Sequence, residues 1–381
     1  MRLTSVRGLQ AGATLARDVP NPKGGNVPLL RAGSVITDHY RDALLRDGIE
    51  TIYVDDALGK GIAMPEPLSE ETRQEVTRVV TGAFDALAAG GGTATLSEDT
   101  QRELGRVASL IATEIAACDD AFLALADLAS ADQYTLQHSV DVTVLGLLVA
   151  RRLFNESGRR IDYLGERAFT KVEQALTRLG LGLLLHDIGK LAIPREILHK
   201  AGPLTTPEWE LIRQHPQFGL EMLSSDLIGP TSKAVVRSHH ERWDGSGYPD
   251  GRRSTKTHQF ARIAAVADVF DAVTSERPYS KRATQAVGVA TIVAGTGTSF
   301  DPEVVEVFRR VIVPYPPGSQ IVLDDGRSGV VVSVPPGQID RPLVRIGFAA
   351  DGRAIEPFEI DLAKDRNASL PEVTLPLRRA A

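Results

Sequence analysis

Apolar and polar positions divide the chain into four successive textures. Residues 1–62 alternate short β-rich runs such as "TIYVDD" with the glycine and proline turns of "NPKGG" and "LLRAGSV", which predicts a small α+β unit. Over 63–130 the apolar positions recur at helical spacing. There "SEETRQEVTRVVTGAFDALAAG" and "LSEDTQRELGRVASLIATEIAA" each begin with serine and acids, the residues that helix N-termini prefer. The "GGGTA" run between them, 90–94, is a flexible break, so this stretch is expected to be a helical linker. Residues 131–313 hold several apolar-periodic helices. After "PYPP" at 314–317 the texture changes to alternating strands, "SQIVLDD", "GVVVSV" and "PLVRIGF", which predict a small β-barrel or sandwich over 314–381. The chain therefore reads as multidomain, with an all-α centre between a small α+β unit and a small β-rich unit.

Composition removes several function classes. At 381 residues with 43% hydrophobic content, the chain can bury one substantial core and one or two small ones. The 43 basic residues are scattered and the net charge is −6, so no stripe suits a nucleic-acid polymer, and a nucleotide ligand would need a local basic site. The single cysteine, Cys118, excludes an intramolecular disulfide framework and fits a reducing compartment. The first residues, "MRLTSVRGLQAGATLARDVP", are charged at Arg2, Arg7 and Arg17 and contain no apolar signal region, and no window reaches about 18 uninterrupted apolar residues. A cytoplasmic protein without membrane attachment is the expectation.

The histidines change the picture most, because seven of the eight lie within 132–313. His186 and Asp187 sit in "LGLLLHDIGK", which reads as an apolar helix ending near Gly189 and Lys190. His215 follows in "RQHPQFG", His239 and His240 in "RSHHERWDG", and Asp268 in "RIAAVADVFDA". Upstream, His138 shares a helix face with Val142, Leu145 and Val149 and so points inward. A lone buried histidine is usually a hydrogen-bonded core residue. Here each of these groups would be buried at about 1–3 kcal/mol unless partnered. A shared metal centre partners all of them at once, with Asp187 placed to bridge two ions. Mixed imidazole and carboxylate ligands suit manganese, iron or zinc rather than calcium. The "DGSGYPDG" run lacks the alternating acids and closing glutamate of a calcium loop. It is expected instead to form a rigid turn whose glycines allow close backbone approach. Glu241 and Arg242 read either as an orienting shell for the histidines or as a surface pair.

"HDIGK" at 186–190, "HHERWDGSGYP" at 239–249 and "RIAAVADVFDAVTSERPYSK" at 262–281 resemble, in order and spacing, the HD-GYP family of cyclic di-GMP phosphodiesterases, a branch of the HD metal-dependent phosphohydrolases. The resemblance implies an all-α HD-type catalytic domain over 131–313 holding two divalent ions, iron or manganese. It implies His186, Asp187, His215, His239, His240 and Asp268 as ligands, with Asp187 bridging. His138 matches an upstream histidine that serves a third metal in some members. Those members carry a glutamate four residues earlier, where this chain has Tyr134, and the departure favours two ions. Lys190 matches a lysine that contacts the scissile phosphate, and Arg277 and Lys281 match the substrate's phosphate side. Gly247, Tyr248 and Pro249 form the loop that serves substrate recognition and contact with signalling partners. Hydrolysis of cyclic di-GMP to pGpG and on to GMP is the implied function. The same chemistry on another cyclic dinucleotide or guanosine nucleotide stays open, as does a non-hydrolysing sensor or docking module. A homodimer is the remaining partner expectation.

Overall fold

The computed structural model describes residues 1–9, 12–19, 21, 28–49, 51–63, 67–90, 94–118, 134–158, 160–163, 166–169, 171–200, 202–223, 226–275, 283–335, 337–365 and 367–371. Near the amino terminus β1 (Arg2–Ser5), β2 (Thr14–Leu15) and β3 (Thr51–Asp55) form an antiparallel sheet in the order β1-β3-β2, packed with α1 (Asp38–Arg46). Val6, Leu15, Ile36, Leu44, Ile52 and Val54 close a small core there.

Two long helices follow, α2 (Glu70–Ala89) and α3 (Glu98–Ala117). Ser69 and Ser97 cap them, accepting from the backbone N–H groups of Thr72 and Thr100 at 3.2 Å each, so the serines of the sequence pattern do mark the helix starts. These helices do more than link. Val76, Val80, Leu87, Leu104, Ile111 and Ile115 are buried in the same core as the helices after them.

That core is built around α4 (Tyr134–Glu156), α5 (Val172–Leu184), α9 (Pro230–Ser238) and α10 (Gln259–Thr274), with α5 packed on α3, α4 and α9. The short helices α6 (Arg195–Leu198), α7 (Thr206–Ile212) and α8 (His215–Met222) come between α5 and α9, and α11 (Gln285–Ala294) and α12 (Pro302–Val311) follow α10. The region is not all-α. Strands β4 (Arg160–Tyr163) and β5 (Glu166–Phe169) pair antiparallel between α4 and α5. Among the described residues, no helix is long and apolar enough to cross a membrane.

The carboxy-terminal unit differs from the expected barrel or sandwich. β6 (Gln320–Val322), β7 (Ser328–Ser333), β8 (Leu343–Phe348) and β9 (Ala354–Asp361) make one four-stranded antiparallel sheet in sequence order. It covers a small core that includes Ile321, Val331, Val344 and Ile346. The sheet also joins the amino-terminal unit, where Leu58 and Ile62 are buried against Val330. Leu3 N–H donates to the Gly318 carbonyl at 3.1 Å. The Arg345 guanidinium donates to the carbonyls of Leu58 and Lys60 at 2.9 and 2.7 Å. Nothing in the pattern of either unit announced this clasp.

Candidate metal centre

The residues singled out between 138 and 268 come from five places in the fold. His138 lies on α4, His215 starts α8, His239 and His240 follow the last turn of α9, and Asp268 lies in the middle of α10. His186 and Asp187 do not sit on a helix as expected. The helix α5 ends at Leu184, and after Asp187 a 3₁₀ turn runs from Ile188 to Ala192. Gly189 explains the break. A Cβ there would stand 2.0 Å from the His215 carbonyl oxygen and 2.4 Å from Gly219 N, so this turn is pressed onto the backbone of α8. The contact carries His186 and Asp187 to His215.

Backbone carbonyls set the imidazoles. His186 Nδ1 donates to Leu183 O at 2.7 Å, His215 Nδ1 to Ile212 O at 2.8 Å, and His239 Nδ1 to Val235 O and Val236 O at 3.1 Å each. A carbonyl can only accept, so Nδ1 carries the hydrogen and Nε2 turns its lone pair inward. The Nε2 atoms of His215 and His239 stand 3.3 Å apart, and His186 Nε2 is buried with no hydrogen-bond partner. Bare nitrogens converging in this way suit a cation at their centre.

Two carboxylates complete the arrangement. Asp187 Oδ1 lies 3.4 Å from His215 Nε2 and 3.8 Å from His239 Nε2, while its Oδ2 lies 3.4 Å from His186 Nε2 and 3.6 Å from His138 Nε2. The carboxylate thus faces two sets of nitrogens, one with each oxygen. Asp268 Oδ1 stands 3.3 Å from His138 Nε2, and its Oδ2 stands 3.9 Å from His240 Nδ1. Two groups emerge, Asp187 with His215, His239 and His240, and His138 with His186 and Asp268. Within each group the ligand atoms lie within 4.8 Å of one another. All seven sequence candidates are brought together, including His138.

The charges fit the same reading. Burial works against ionisation of Asp187, yet the positive charge of Lys190 beside it holds its carboxyl well below the usual range. Asp268 is held down in the same way, against burial, by His138 and His240. Burial lowers His186 to about 4 and His215 to about 3, and pushes His240 down as well. Ionised oxygens and neutral imidazoles make a donor set for divalent ions of the manganese, iron and zinc type. His138 differs. Burial opposes its charge, but Asp268 and Asp271 outweigh that and raise it to about 10.

Asp271 escaped the sequence reading. It is fully buried and accepts from His138 Nδ1 at 2.6 Å and from Ser275 Oγ at 2.8 Å, which fixes the ring with Nε2 inward. Its signal was present, since a second acid one turn after Asp268 on an apolar helix needs a partner. Glu241 fits neither alternative offered for it. It is buried and accepts from the backbone N–H groups of Asp250 and Arg252 at 2.7 and 2.9 Å, so it orders the loop rather than the histidines. Arg242 is exposed and donates to Ser299 Oγ at 3.3 Å.

The loop itself is tight. A Cβ on Gly247 would stand 2.4 Å from both Arg242 N and His240 O, so the close backbone approach expected of the glycines is present. Tyr248 stacks on His240 with centroids 4.7 Å apart, and Pro249 beside it is exposed. Lys190 Nζ donates to Asp187 Oδ2 at 2.5 Å, with its side chain about one-third exposed at the edge of the cluster. Arg277 and Lys281 lie outside the described residues.

Comparison with known proteins adds kinship. A family model described as an HD domain matches residues 152–304. A cyclic di-GMP phosphodiesterase of Pseudomonas aeruginosa is 38% identical over 242 residues, 63% of this chain and 54% of the relative. A 3'3'-cGAMP-specific phosphodiesterase of Vibrio cholerae is 40% identical over 125 residues, 32% of this chain and 24% of the relative. The chain therefore spans about half the length of the first and about a quarter of the second. Among solved structures, an HDG"Y"P protein from Bdellovibrio bacteriovorus is similar with a TM-score of 0.48 and 15% identity, covering 80% of this chain and 97% of that one.

Proposed function

We propose that the chain carries an HD domain of the HD-GYP type and is a metal-dependent phosphodiesterase opening cyclic di-GMP to linear pGpG, with onward hydrolysis to GMP. The observation that carries the reading is the double set of imidazoles around the two oxygens of Asp187, with Lys190 at its edge. The ligands would be His186, Asp187, His215, His239, His240 and Asp268, joined by His138, and the ions would be two, iron or manganese. When bound, two divalent ions supply a water of lowered pKa and a clamp for the phosphoryl oxygens.

The residues of the chain supply the rest. Lys190 offers a fixed N–H donor to the scissile phosphate, where negative charge grows as the bond to the leaving oxygen lengthens. Asp187 keeps that ammonium oriented and is itself kept ionised by it. Asp271 holds His138 with Nε2 toward the centre. Burial, together with the charges of Asp187 and Asp268, raises the Tyr248 phenol above its ordinary range, so it stays a hydrogen-bond donor at neutral pH. Arg277 and Lys281 are assigned to the substrate's phosphates on the motif alone. Gly247, Tyr248 and Pro249 are assigned to recognition of the dinucleotide and to docking of a signalling partner. The homodimer rests on no contact and stands with them as a proposal.

A second substrate, the cyclic GMP-AMP hybrid, is favoured by the Vibrio relative. A sensor without turnover has less support, because pure binding has no need of a filled ligand set. The test is anaerobic purification, metal analysis, and turnover of a panel of cyclic and linear dinucleotides. Cleavage of cyclic di-GMP in proportion to bound metal supports the proposal, and a fully loaded protein that binds but never cleaves defeats it.

A further inference from the structure

We propose that Arg213 binds a phosphate of the substrate, the phosphodiester of the cyclic dinucleotide that lies away from Lys190; this rests on the phosphodiesterase reading above. Arg213 caps α7 two residues before His215. Its guanidinium lies 4.8 Å from the centroid of the Tyr248 ring. The His240 imidazole stacks on that same ring, with centroids 4.7 Å apart. Arg213 thus stands one aromatic ring away from a ligand of the centre.

Among the described residues its charge is uncommitted. The side chain is exposed, and among the described residues no carboxylate pairs with it. Three other arginines near the loop are paired, Arg237 and Arg252 with Asp250 at 2.7 and 3.1 Å and Arg262 with Asp301, while Arg242 donates to Ser299 Oγ at 3.3 Å. A guanidinium held over a tyrosine ring still has N–H groups to offer, in a planar fork that suits two phosphate oxygens.

The substrate supplies the need. A cyclic dinucleotide carries two phosphodiester anions, and Lys190, already bonded to Asp187, offers a donor to the one being cleaved. The second anion then needs a cation of its own beside the centre, and the Arg213 guanidinium on Tyr248 stands where it can join Arg277 and Lys281 in supplying one.

Two substrates of unlike phosphate count separate this role from simple support of the loop. In metal-loaded protein, Arg213→Ala is expected to raise KM for cyclic di-GMP roughly 10- to 100-fold, with kcat changed less than threefold. Its affinity for a hydrolysis-resistant phosphorothioate cyclic di-GMP, measured by calorimetry, falls by the same factor. Hydrolysis of bis(p-nitrophenyl) phosphate, which carries one phosphate, falls less than threefold in kcat/KM. Arg213→Lys recovers part of the dinucleotide affinity and Arg213→Gln none, and this pair decides the matter if the alanine variant loses metal or fold. Equal losses on both substrates, or an unchanged dinucleotide Kd, overturn the proposal while leaving the phosphodiesterase reading intact. A wild-type protein that cleaves the one-phosphate ester but neither binds nor cleaves cyclic di-GMP ends both the substrate reading and the role of Arg213.

Discussion

Stripping the centre of metal and refilling it at a series of pH values probes the role of His138. Burial disfavours a charge on that ring, but Asp268 and Asp271 lift its pKa to about 10. At pH 7.5 the metal-free protein therefore holds a proton on His138 Nε2, the atom a metal would need. His186 and His215, drawn down by burial to about 4 and about 3, hold none. Filling the group formed by His138, His186 and Asp268 must expel that proton. With the ring's pKa about 2.5 units above the working pH, expulsion costs about 3 kcal/mol at 1.36 kcal/mol per unit. Affinity for the ion in that group should rise about tenfold per pH unit between pH 7 and 9. The sign reverses for the metal-free fold. A raised histidine stabilises it fully below its ordinary value near 6.5, and that contribution is lost as pH climbs to about 10. Calorimetric titration of chelator-treated protein with Mn²⁺, in two buffers of different ionisation enthalpy, counts the protons released. One proton per chain is expected. Release of none, with affinity flat from pH 7 to 9, would refute the placement of His138 in the ligand set.

Three substitutions test the other parts of the site. Asp187→Ala removes the carboxylate that faces both ligand groups, and the folded variant should retain little metal by elemental analysis and no measurable hydrolysis; full occupancy would contradict the bridging role. Lys190→Ala should keep its metal and lose about 10²–10³-fold in kcat, with a smaller change in dinucleotide Kd, because the lost donor acts mainly on charge that develops in the transition state. An unchanged kcat would remove Lys190 from the chemistry. Glu241→Ala leaves the N–H groups of Asp250 and Arg252 without their acceptor and should cost about 3 kcal/mol in urea unfolding; a loss under 0.5 kcal/mol would mean that the loop holds itself.

The clustering of these residues was legible because they are chemically conspicuous: histidines and aspartates repeated on apolar segments have few bland explanations. Helix starts were legible for a similar reason, since Ser69 and Ser97 perform a local task within four residues of chain. What escaped depends on contacts between distant segments. The helix α5 stops at Leu184 because Gly189 must meet the backbone of α8, and no local propensity records that meeting. Asp271 meets His138 only when α10 lies beside α4, and Arg213 meets Tyr248 only once the loop is folded. The helices of 63–130 looked like a linker because their periodicity shows an apolar face without showing what covers it. The strands β4 and β5 were missed because two four-residue strands carry too short a period-two pattern, and the carboxy-terminal unit was misjudged because pattern shows strands without showing whether their sheet closes.

The clasp between the two end units sets an order of assembly. Leu3 bonds Gly318, and Leu58 packs on Val330, across a stretch that includes the whole metal centre. Joining residues so far apart through an unfolded chain costs roughly 5 kcal/mol by the logarithmic loop law, before any fixed cost of closure. Once the helical core has compacted, most of that cost has already been met. The helices should therefore condense first, with the joining of β1 to the carboxy-terminal sheet among the last steps of folding. Pulse-labelled hydrogen exchange during refolding gives the order directly: the Leu3 amide should gain protection after the amides of α4 and α10, and protection at the same time would mean that the ends and the core fold as one cooperative unit.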